Sequence, residues 1–259
     1  MIKKKFNYQL LYIALVLLFI YLPVIVVVVL SFNESKFDVK WTGFTLNWYK
    51  KMLNNNSLID ALKNSILIAF YSCFLSAIIG TIGAFGIVRW NFKAKGIIEN
   101  LTILPIMIPE IILGMVFLAF FSLLNLPFGM ITIVISHMSF CIPYVFLVVK
   151  GRLNGLDPSI GEAARDLGAS EKRMFLDITI PLISPAIISG TLLAFAMSLD
   201  DVVLSFFTTG AETNTLPLKI YSQLKFGVTP EINALCTLIL VFTFILIFLS
   251  NKLLNQKNK

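Results

Sequence analysis

Charged residues are scarce in this sequence, and their scarcity excludes an ordinary soluble domain. Asp, Glu, Lys and Arg make up 14% of the 259 residues, whereas soluble globular proteins average about 25%. Hydrophobic residues make up 58%, including 23 Phe. The composition predicts a protein whose main solvent is lipid, with a single membrane domain over residues 1–259 and no separate soluble enzyme domain.

The residues of common catalytic and metal sites are also few. His137 is the one histidine, and Cys73, Cys141 and Cys236 lie in apolar stretches. These numbers argue against a histidine-based metal site and a disulfide framework, and they predict packing or hydrogen-bond roles for these side chains. The HExxH and GxSxG motifs are absent, which argues against an intramembrane protease. We expect no metal, no cofactor and no enzymatic activity in this chain.

What the sequence has instead is six apolar segments, each near or above the roughly 20 residues that span hydrocarbon. Such segments must be helices, because lipid cannot satisfy backbone polar groups. An all-α integral membrane protein with six transmembrane helices is predicted. The segments are Gln9–Leu30, Asp60–Val88, Leu101–Leu124, Met130–Val149, Pro181–Phe207 and Ile232–Ser250.

The net charge of +7 fits basic residues kept on the cytoplasmic side of a membrane and predicts no nucleic-acid partner. Placing both termini in the cytoplasm puts most basic residues inside. The first apolar segment follows a basic cluster, as in a signal peptide, but its apolar run is too long and no A-x-A site follows, so we interpret it as a retained helix. The basic residues that this orientation places on the cytoplasmic side are Lys3, Lys4, Lys5, Arg89, Lys93, Lys95, Lys150, Arg152, Arg165, Lys172, Arg173, Lys252, Lys257 and Lys259.

The loop between the fourth and fifth segments, about residues 151–181, carries the densest charge. Asp157 can cap a helix that has Pro158 at its first position, and Gly168 can end that helix in a left-handed conformation. Ser170 can cap a second helix. The spacing of Ile160, Ala163, Ala164 and Leu167 gives the first helix one small apolar face. Such a face suits docking into a partner protein, although a helix lying on the lipid surface is the alternative.

This loop resembles the EAA loop of binding-protein-dependent ABC importer permeases. The matching residues are Glu162, Ala163, Ala164, Gly168, Ile178 and Pro181, with Ile180 where the family pattern has Leu. The resemblance implies the type I permease fold and coupling helices that sit in a cleft of a dimeric cytoplasmic ATPase. The chain has no GxxxxGK[ST] sequence, so ATP and Mg are expected on that partner.

Other stretches resemble the PotC-like permease subunits of spermidine/putrescine importers. They are residues 45–65, 108–113, 198–207 and 214–237, and the last two are the most specific. The resemblance implies a bacterial inner membrane location, a second permease subunit that is a different chain, and an external polyamine-binding protein. Another cargo carried by the same kind of importer is the alternative.

Three acidic residues within apolar segments fit a cationic substrate. Glu110 is expected roughly 14 Å along its span, near the bilayer midplane, where a carboxylate is costly and is a functional candidate. Asp200 and Asp201 are expected near the outer end of the fifth span. The alternatives are a hydrogen bond beside Pro109 for Glu110 and helix-end capping for the two aspartates.

Aromatic residues near these acids could add cation–π contacts to an ammonium group. We assign Phe206 and Tyr221 to the substrate path together with Glu110, Asp200 and Asp201. Phe207, Trp41 and Trp48 are further aromatic candidates. Periodicity alone does not tell which of these rings face the path.

Overall fold

A computed structural model describes residues 8–36, 40–224, 227 and 229–257, without the side chains of residues 158 and 245–257. Lys3, Lys4, Lys5 and Lys259, which entered the prediction of orientation, lie outside the described residues. The described part is helical and contains no β-strand, only an isolated bridge between Asn33 and Phe44. The all-α fold class is confirmed.

Most helices follow one another with short connections, but residues 31–46 separate the first two. In chain order they are α1 Tyr8–Leu30, α2 Asn47–Leu53, α3 Asn56–Arg89, α4 Lys95–Met107, α5 Glu110–Leu123, α6 Met130–Asn154, α7 Pro158–Asp166, α8 Glu171–Arg173, a π-helical segment Met174–Thr179, α9 Ile180–Asp200, α10 Val203–Thr208, α11 Leu216–Leu224 and α12 Pro230–Lys257.

Four helices of the described part are long and apolar enough to cross a membrane. They are Tyr8–Leu30, Asn56–Arg89, Met130–Asn154 and the continuous helix Glu171–Asp200, which joins α8, the π-helical segment and α9. The bent pair α4 and α5 and the apolar start of α12 account for the other two predicted segments. The six segments therefore fall on helices, but not all of them are straight spans.

The third predicted span is broken. The sequence predicts one helix from Leu101 to Leu124, whereas α4 and α5 meet at a bend of 106°. Ile108 and Pro109 are both extended at the bend, with ψ of 133° and 130°. Proline disfavours the helical conformation of the residue before it, which explains why α4 ends there. The depth expected for Glu110 assumed a straight helix, which the structure does not have, and the position of Glu110 near the bilayer midplane stays a prediction.

The fifth predicted span begins and ends earlier than expected. The prediction was Pro181–Phe207, whereas the helix runs from Glu171 to Asp200 and α10 follows as a separate short helix. Pro181 cannot donate to the carbonyl of Asp177 and its ring crowds that turn. The π-helical segment Met174–Thr179 lies directly before this proline, and the Thr179 hydroxyl donates to the carbonyl of Met174 at 3.1 Å.

The chain divides into two compact units, residues 60–221 and residues 1–59 with 222–259. In the larger unit α6 is the central helix. Its Val145 is packed between Gly80 of α3 and Gly190 of α9, where an added Cβ would come within 3.0 and 3.1 Å of Val145 atoms. The glycines therefore allow helix backbones to approach closely. Cys73 and Cys141 belong to this core as free thiols, as predicted.

The smaller unit contains α1, α2 and α12, and α12 contacts both of the others. No residue of α1 is buried, as expected of a helix facing lipid. Asn33 organises the loop before α2: its side chain accepts from the Thr42 amide at 2.9 Å and donates to the Lys40 carbonyl at 2.8 Å. The Trp48 indole donates to the Asn33 carbonyl at 2.7 Å. The single-domain prediction for residues 1–259 stays a prediction.

Candidate functional site

One pocket of the larger unit contains all three acidic residues selected from the sequence. It has a volume of about 300 Å³, and its wall includes Glu110, Asp200 and Asp201. Residues from the bend between α4 and α5 form one side, and residues from the break between α9 and α10 form another. The two interruptions in otherwise regular helices therefore line the same pocket.

Glu110 and Asp200 are exposed acidic residues whose carboxylates are available to a ligand. Glu110 is the first residue of α5, and Asp200 is the last residue of α9. Within the described part of the chain, neither carboxylate has a hydrogen bond or an ion pair. No Lys or Arg is among the described residues that line the pocket. The pocket therefore has negative charge without an internal cation beside these two carboxylates.

Asp201 differs from its neighbour because its carboxylate is occupied. Its Oδ1 accepts from the Leu204 amide at 3.2 Å and its Oδ2 from the Ser205 amide at 2.8 Å, so it caps α10. Its Oδ2 also lies 3.2 Å from His137 Nε2. The side chain is only 5% exposed. The capping alternative considered for the aspartate pair thus describes Asp201, and not Asp200.

His137 is fully buried where α6, α9 and α10 meet. Its Nδ1 lies 2.8 Å from the Ser198 hydroxyl, and its Nε2 lies 3.2 Å from both Asp201 Oδ2 and the Ser205 hydroxyl. The expected hydrogen-bond role for His137 is confirmed in this geometry. The polar contacts continue along α6, where the Thr132 hydroxyl donates to the Thr208 carbonyl at 2.8 Å.

Two aromatic residues of α6, Phe140 and Tyr144, line the pocket although the sequence analysis did not select them. Their spacing of four residues places them on one helix face, next to His137. The available signal was their position three and seven residues after the single histidine, on the same face of α6. Met197 and Leu113 add apolar wall. The pocket thus combines carboxylates with aromatic and aliphatic surface.

The aromatic residues predicted for the path lie elsewhere. Phe206 is 59% exposed and Tyr221 is also exposed, and neither lines the pocket. Phe207 packs against Gly114, where a Cβ would overlap the Phe207 ring. In the smaller unit Trp41 is exposed, whereas Trp48 is buried with the Lys51 ammonium 4.6 Å from its ring centroid. Sequence proximity to the acids did not identify the aromatic wall.

The loop at the other end of the Glu171–Asp200 helix has the predicted local structure. The Asp157 carboxylate accepts from the Ser159 amide at 2.9 Å, and this hydrogen bond holds the pKa of Asp157 below its usual value. Gly168 has a φ of +78° after the end of α7. The Ser170 hydroxyl accepts from the Arg173 amide at 3.4 Å. Both predicted caps and the left-handed glycine are confirmed.

The apolar face predicted for α7 is divided between two environments. Ala164 is 5% exposed, whereas Leu167 is 89% exposed and Ala163 is exposed as well. Glu162 and Pro181 are exposed, and Ile178 lines a hollow of about 340 Å³ together with Ile160 and Arg89. Ala164 therefore packs against this chain, which leaves Ala163 and Leu167 on the surface of the loop.

Charged contacts hold the loop to the end of α3. Glu171 Oε1 lies 3.1 Å from Arg165 Nε and 3.5 Å from Arg89 Nη2. Lys150 and Glu99 form a further ion pair between α6 and α4.

No group of three or more His, Cys, Asp or Glu that could hold a metal ion occurs in the described residues. The prediction that the chain has no metal or cofactor stays a prediction.

The family model for binding-protein-dependent transport system inner membrane components matches residues 76–259. The chain belongs to this family. The matched permease residues include the pocket, the loop and the helix between them. Membership makes the chain an inner membrane component of a transport system, and the predicted membrane permease class is confirmed.

Curated relatives extend the similarity over most of this permease. This chain is 40% identical over 240 residues to the spermidine/putrescine transport system permease protein PotC of Haemophilus influenzae, and the aligned residues cover 93% of each chain. It is 39% identical to PotC of Escherichia coli K12, over 93% of this chain and 91% of that one. It is 42% identical to the putrescine permease PotI of the same strain, over 86% and 82%. The PotC-like resemblance is confirmed.

Solved structures share the fold of the permease. A bacterial ABC transporter involved in alginate import matches with a TM-score of 0.75 at 16% identity, covering 95% of this chain and 94% of that chain. The MetNI methionine ABC transporter in an inward-facing conformation matches with a TM-score of 0.59 at 13% identity, covering 82% and 97%. At these identities the likeness is one of fold, and the fold is that of a type I ABC importer permease.

Proposed function

We propose that this permease forms half of the translocation pathway of an ATP-driven importer for polyamines, with the pocket at Glu110 and Asp200 as a cation site. The observation that carries the proposal is the presence of two exposed carboxylates from different helices in one pocket, neither of which has a partner among the described residues. The names of the PotC and PotI relatives support spermidine and putrescine as the cargo.

The pocket chemistry favours an extended organic cation. An ammonium group entering it can replace part of its hydration by a carboxylate of Glu110 or Asp200, while Phe140 and Tyr144 offer cation–π contacts. The aliphatic carbons between ammonium groups can lie against Met197 and Leu113. An anionic cargo would meet only repulsion from the lining charges. Asp201, Phe206 and Tyr221 remain proposed path residues, but Asp201 acts mainly by holding the pocket wall.

The energy source in this proposal is a dimeric ATPase that binds ATP and Mg on the cytoplasmic side. The loop docks into it through α7, with Glu162, Ala163, Ala164, Gly168, Ile178 and Pro181 as coupling residues. The exposed Ala163 and Leu167 support this assignment, because a small apolar surface on a charged loop suits a protein groove. The continuous Glu171–Asp200 helix would carry a movement of the loop to the pocket.

The remaining partners follow from the same proposal. A second permease subunit, a different chain, completes the pathway, and an external polyamine-binding protein delivers the cargo. Both termini lie in the cytoplasm, as the distribution of basic residues suggests. The chain itself has no enzymatic role and needs no cofactor of its own.

Uptake of labelled spermidine and putrescine tests the cargo and the carboxylates together. Cells that lack other polyamine importers would express the whole system with wild-type permease, Glu110→Gln, Asp200→Asn or Asp201→Asn. We expect each variant to reduce uptake about tenfold or more, as loss of a charged hydrogen bond does. Asp60→Asn, an exposed acid outside the pocket, is the matched control. Normal uptake in all three pocket variants would overturn the carboxylate assignment, and no polyamine uptake by the wild type would overturn the cargo.

A further inference from the structure

We infer that His137 is a positioning residue for transport: it fixes the Asp201 carboxylate, and through it the break between α9 and α10 that forms one wall of the pocket. This inference rests on the proposed function of the pocket. It gives a role to the single histidine of the chain, which does not itself line the pocket.

The first step is the hydrogen-bond geometry of the imidazole. An ionised carboxylate can only accept, so a hydrogen bond between His137 and Asp201 requires the proton on Nε2. A neutral ring with this tautomer has a free lone pair on Nδ1, which can accept from the Ser198 hydroxyl at 2.8 Å. His137 therefore joins the last turn of α9 to the residue that follows it.

The second step is burial. His137 is 1% exposed and Asp201 is 5% exposed in their side chains, so water cannot readily replace a lost partner. Without His137 the nearly buried carboxylate keeps the Leu204 and Ser205 amides as donors but loses part of the compensation for its desolvation. Asp201 would then turn toward the pocket or release the amides that it caps. The imidazole thus stabilises one position of this carboxylate.

The third step connects this position to the pocket wall. Leu204 and Ser205, whose amides donate to Asp201, lie in the first turn of α10, and the backbone leaves the helical conformation of α9 at Asp201, where ψ is 126°. Asp200, Val202 and Val203 of the segment around this break all line the pocket. Since the Asp201 carboxylate holds this segment, a change at His137 is transmitted to the neighbouring Asp200, which lines the pocket.

Kinetics of polyamine uptake distinguish positioning from general stability. His137→Phe retains a planar ring but loses both polar contacts, and we expect it to raise the apparent KM about tenfold, with the maximal rate per inserted permease changed less than threefold. His137→Gln retains a donor near the Nε2 position, and we expect an apparent KM within about threefold of the wild type. His137→Asn can reach Ser198 but not Asp201, so we expect it to raise the apparent KM as His137→Phe does. It replaces the Phe variant if that variant is not inserted into the membrane.

Thr132→Val is the matched control because Thr132 also joins α6 to α10 but does not touch Asp201. We expect it to lower thermal stability and to leave the apparent KM unchanged. A double variant supplies the second readout: in an Asp201→Ala background, which removes the acceptor of the His137 hydrogen bond, His137→Phe should change the apparent KM less than twofold.

The outcomes separate this inference from the proposed function. Three results would overturn the positioning role and leave the proposed function standing. The apparent KM could stay unchanged in His137→Phe or His137→Asn, or it could rise equally in Thr132→Val. The double variant could also show a change in KM equal to the product of the two single changes. If Asp201→Asn itself transports normally, the positioning role fails together with the assignment of Asp201 to the path.

Discussion

The two ends of the helix from Glu171 to Asp200 are held by different kinds of contact. At the Glu171 end the hydrogen bonds are exposed, and two of them join residues three and six positions apart in the sequence. At the Asp200 end, His137 reaches Ser198 and Asp201 across 61 and 64 positions, and its contacts are buried. Arg89 of α3 also contacts Glu171, but the capping bonds at this end are local, whereas the Asp200 end depends on a buried histidine of another helix.

This difference explains how one helix can contribute both to docking a partner and to binding a ligand. Exposed ion pairs contribute at most about 1 kcal/mol and are screened by salt, so the loop can adjust to a docking partner. Buried hydrogen bonds to a charged group contribute about 1.5–3 kcal/mol and keep their geometry. The loop end is therefore suited to coupling, and the pocket end to holding a ligand in a defined place.

The largest expected effect comes from reversing a charge at the pocket end. Asp200→Lys replaces an attraction for a cation by a repulsion, and at a few ångströms this difference is worth about 3 kcal/mol or more. We expect polyamine uptake to fall at least about 100-fold, while the ATPase co-purifies at normal yield. Asp60→Lys, an exposed reversal outside the pocket, is the control. Loss of the ATPase from Asp200→Lys would show that the two ends are not separable.

An intermediate effect is expected from the left-handed residue of the loop. Gly168 has a φ of +78° with open space around the position of a Cβ, so a substitution meets a conformational penalty but no clash within the chain. Gly168→Val should cost about 1–2 kcal/mol locally and reduce co-purification of the ATPase several-fold. Gly168→Asn, which tolerates this conformation, should be milder. Equal ATPase yields from both variants and the wild type would contradict a role for this turn.

The smallest effect is a pH dependence confined to the start of α7. Because the Ser159 amide lowers the pKa of Asp157 in the folded loop, the cap stabilises α7 above the unfolded carboxyl pKa of about 4 and is lost as the pH falls below it. Hydrogen exchange of the α7 amides, corrected for intrinsic rates, should show this loss of protection. Asp157→Asn can cap α7 but does not titrate, so it should remove the pH dependence of the protection. If the pH dependence persists in this variant, another group causes it.

The features that could be predicted from the sequence are those that depend on neighbours in the chain. The apolar runs predict membrane helices because each helix satisfies its own backbone in lipid. Asp157, Gly168 and Ser170 predict the helix ends of the loop because capping involves only residues a few positions apart. The transport family was predicted differently, from the resemblance of the loop motif and of the class-specific stretches to known permeases.

The sequence also selected Glu110, Asp200 and Asp201, since carboxylates in apolar segments are costly unless they have a function. It did not distinguish the two adjacent aspartates. Their difference depends on His137, which lies on another helix. It also missed Phe140 and Tyr144, because an aromatic residue in a membrane helix has the same local pattern whether it faces lipid, core or pocket.

Tertiary structure alone decided how these pieces meet. Pro109 ends α4 locally, but the fold set the 106° angle between α4 and α5 and brought that bend next to the break after Asp200. It left Glu110 and Asp200 without partners among the described residues and surrounded Asp201 with donors. The sequence determined which groups were available, because residue type and local conformation are written along the chain. The fold determined which of them can bind a ligand, since the packing of α5, α6, α9 and α10 joins residues that are far apart in sequence.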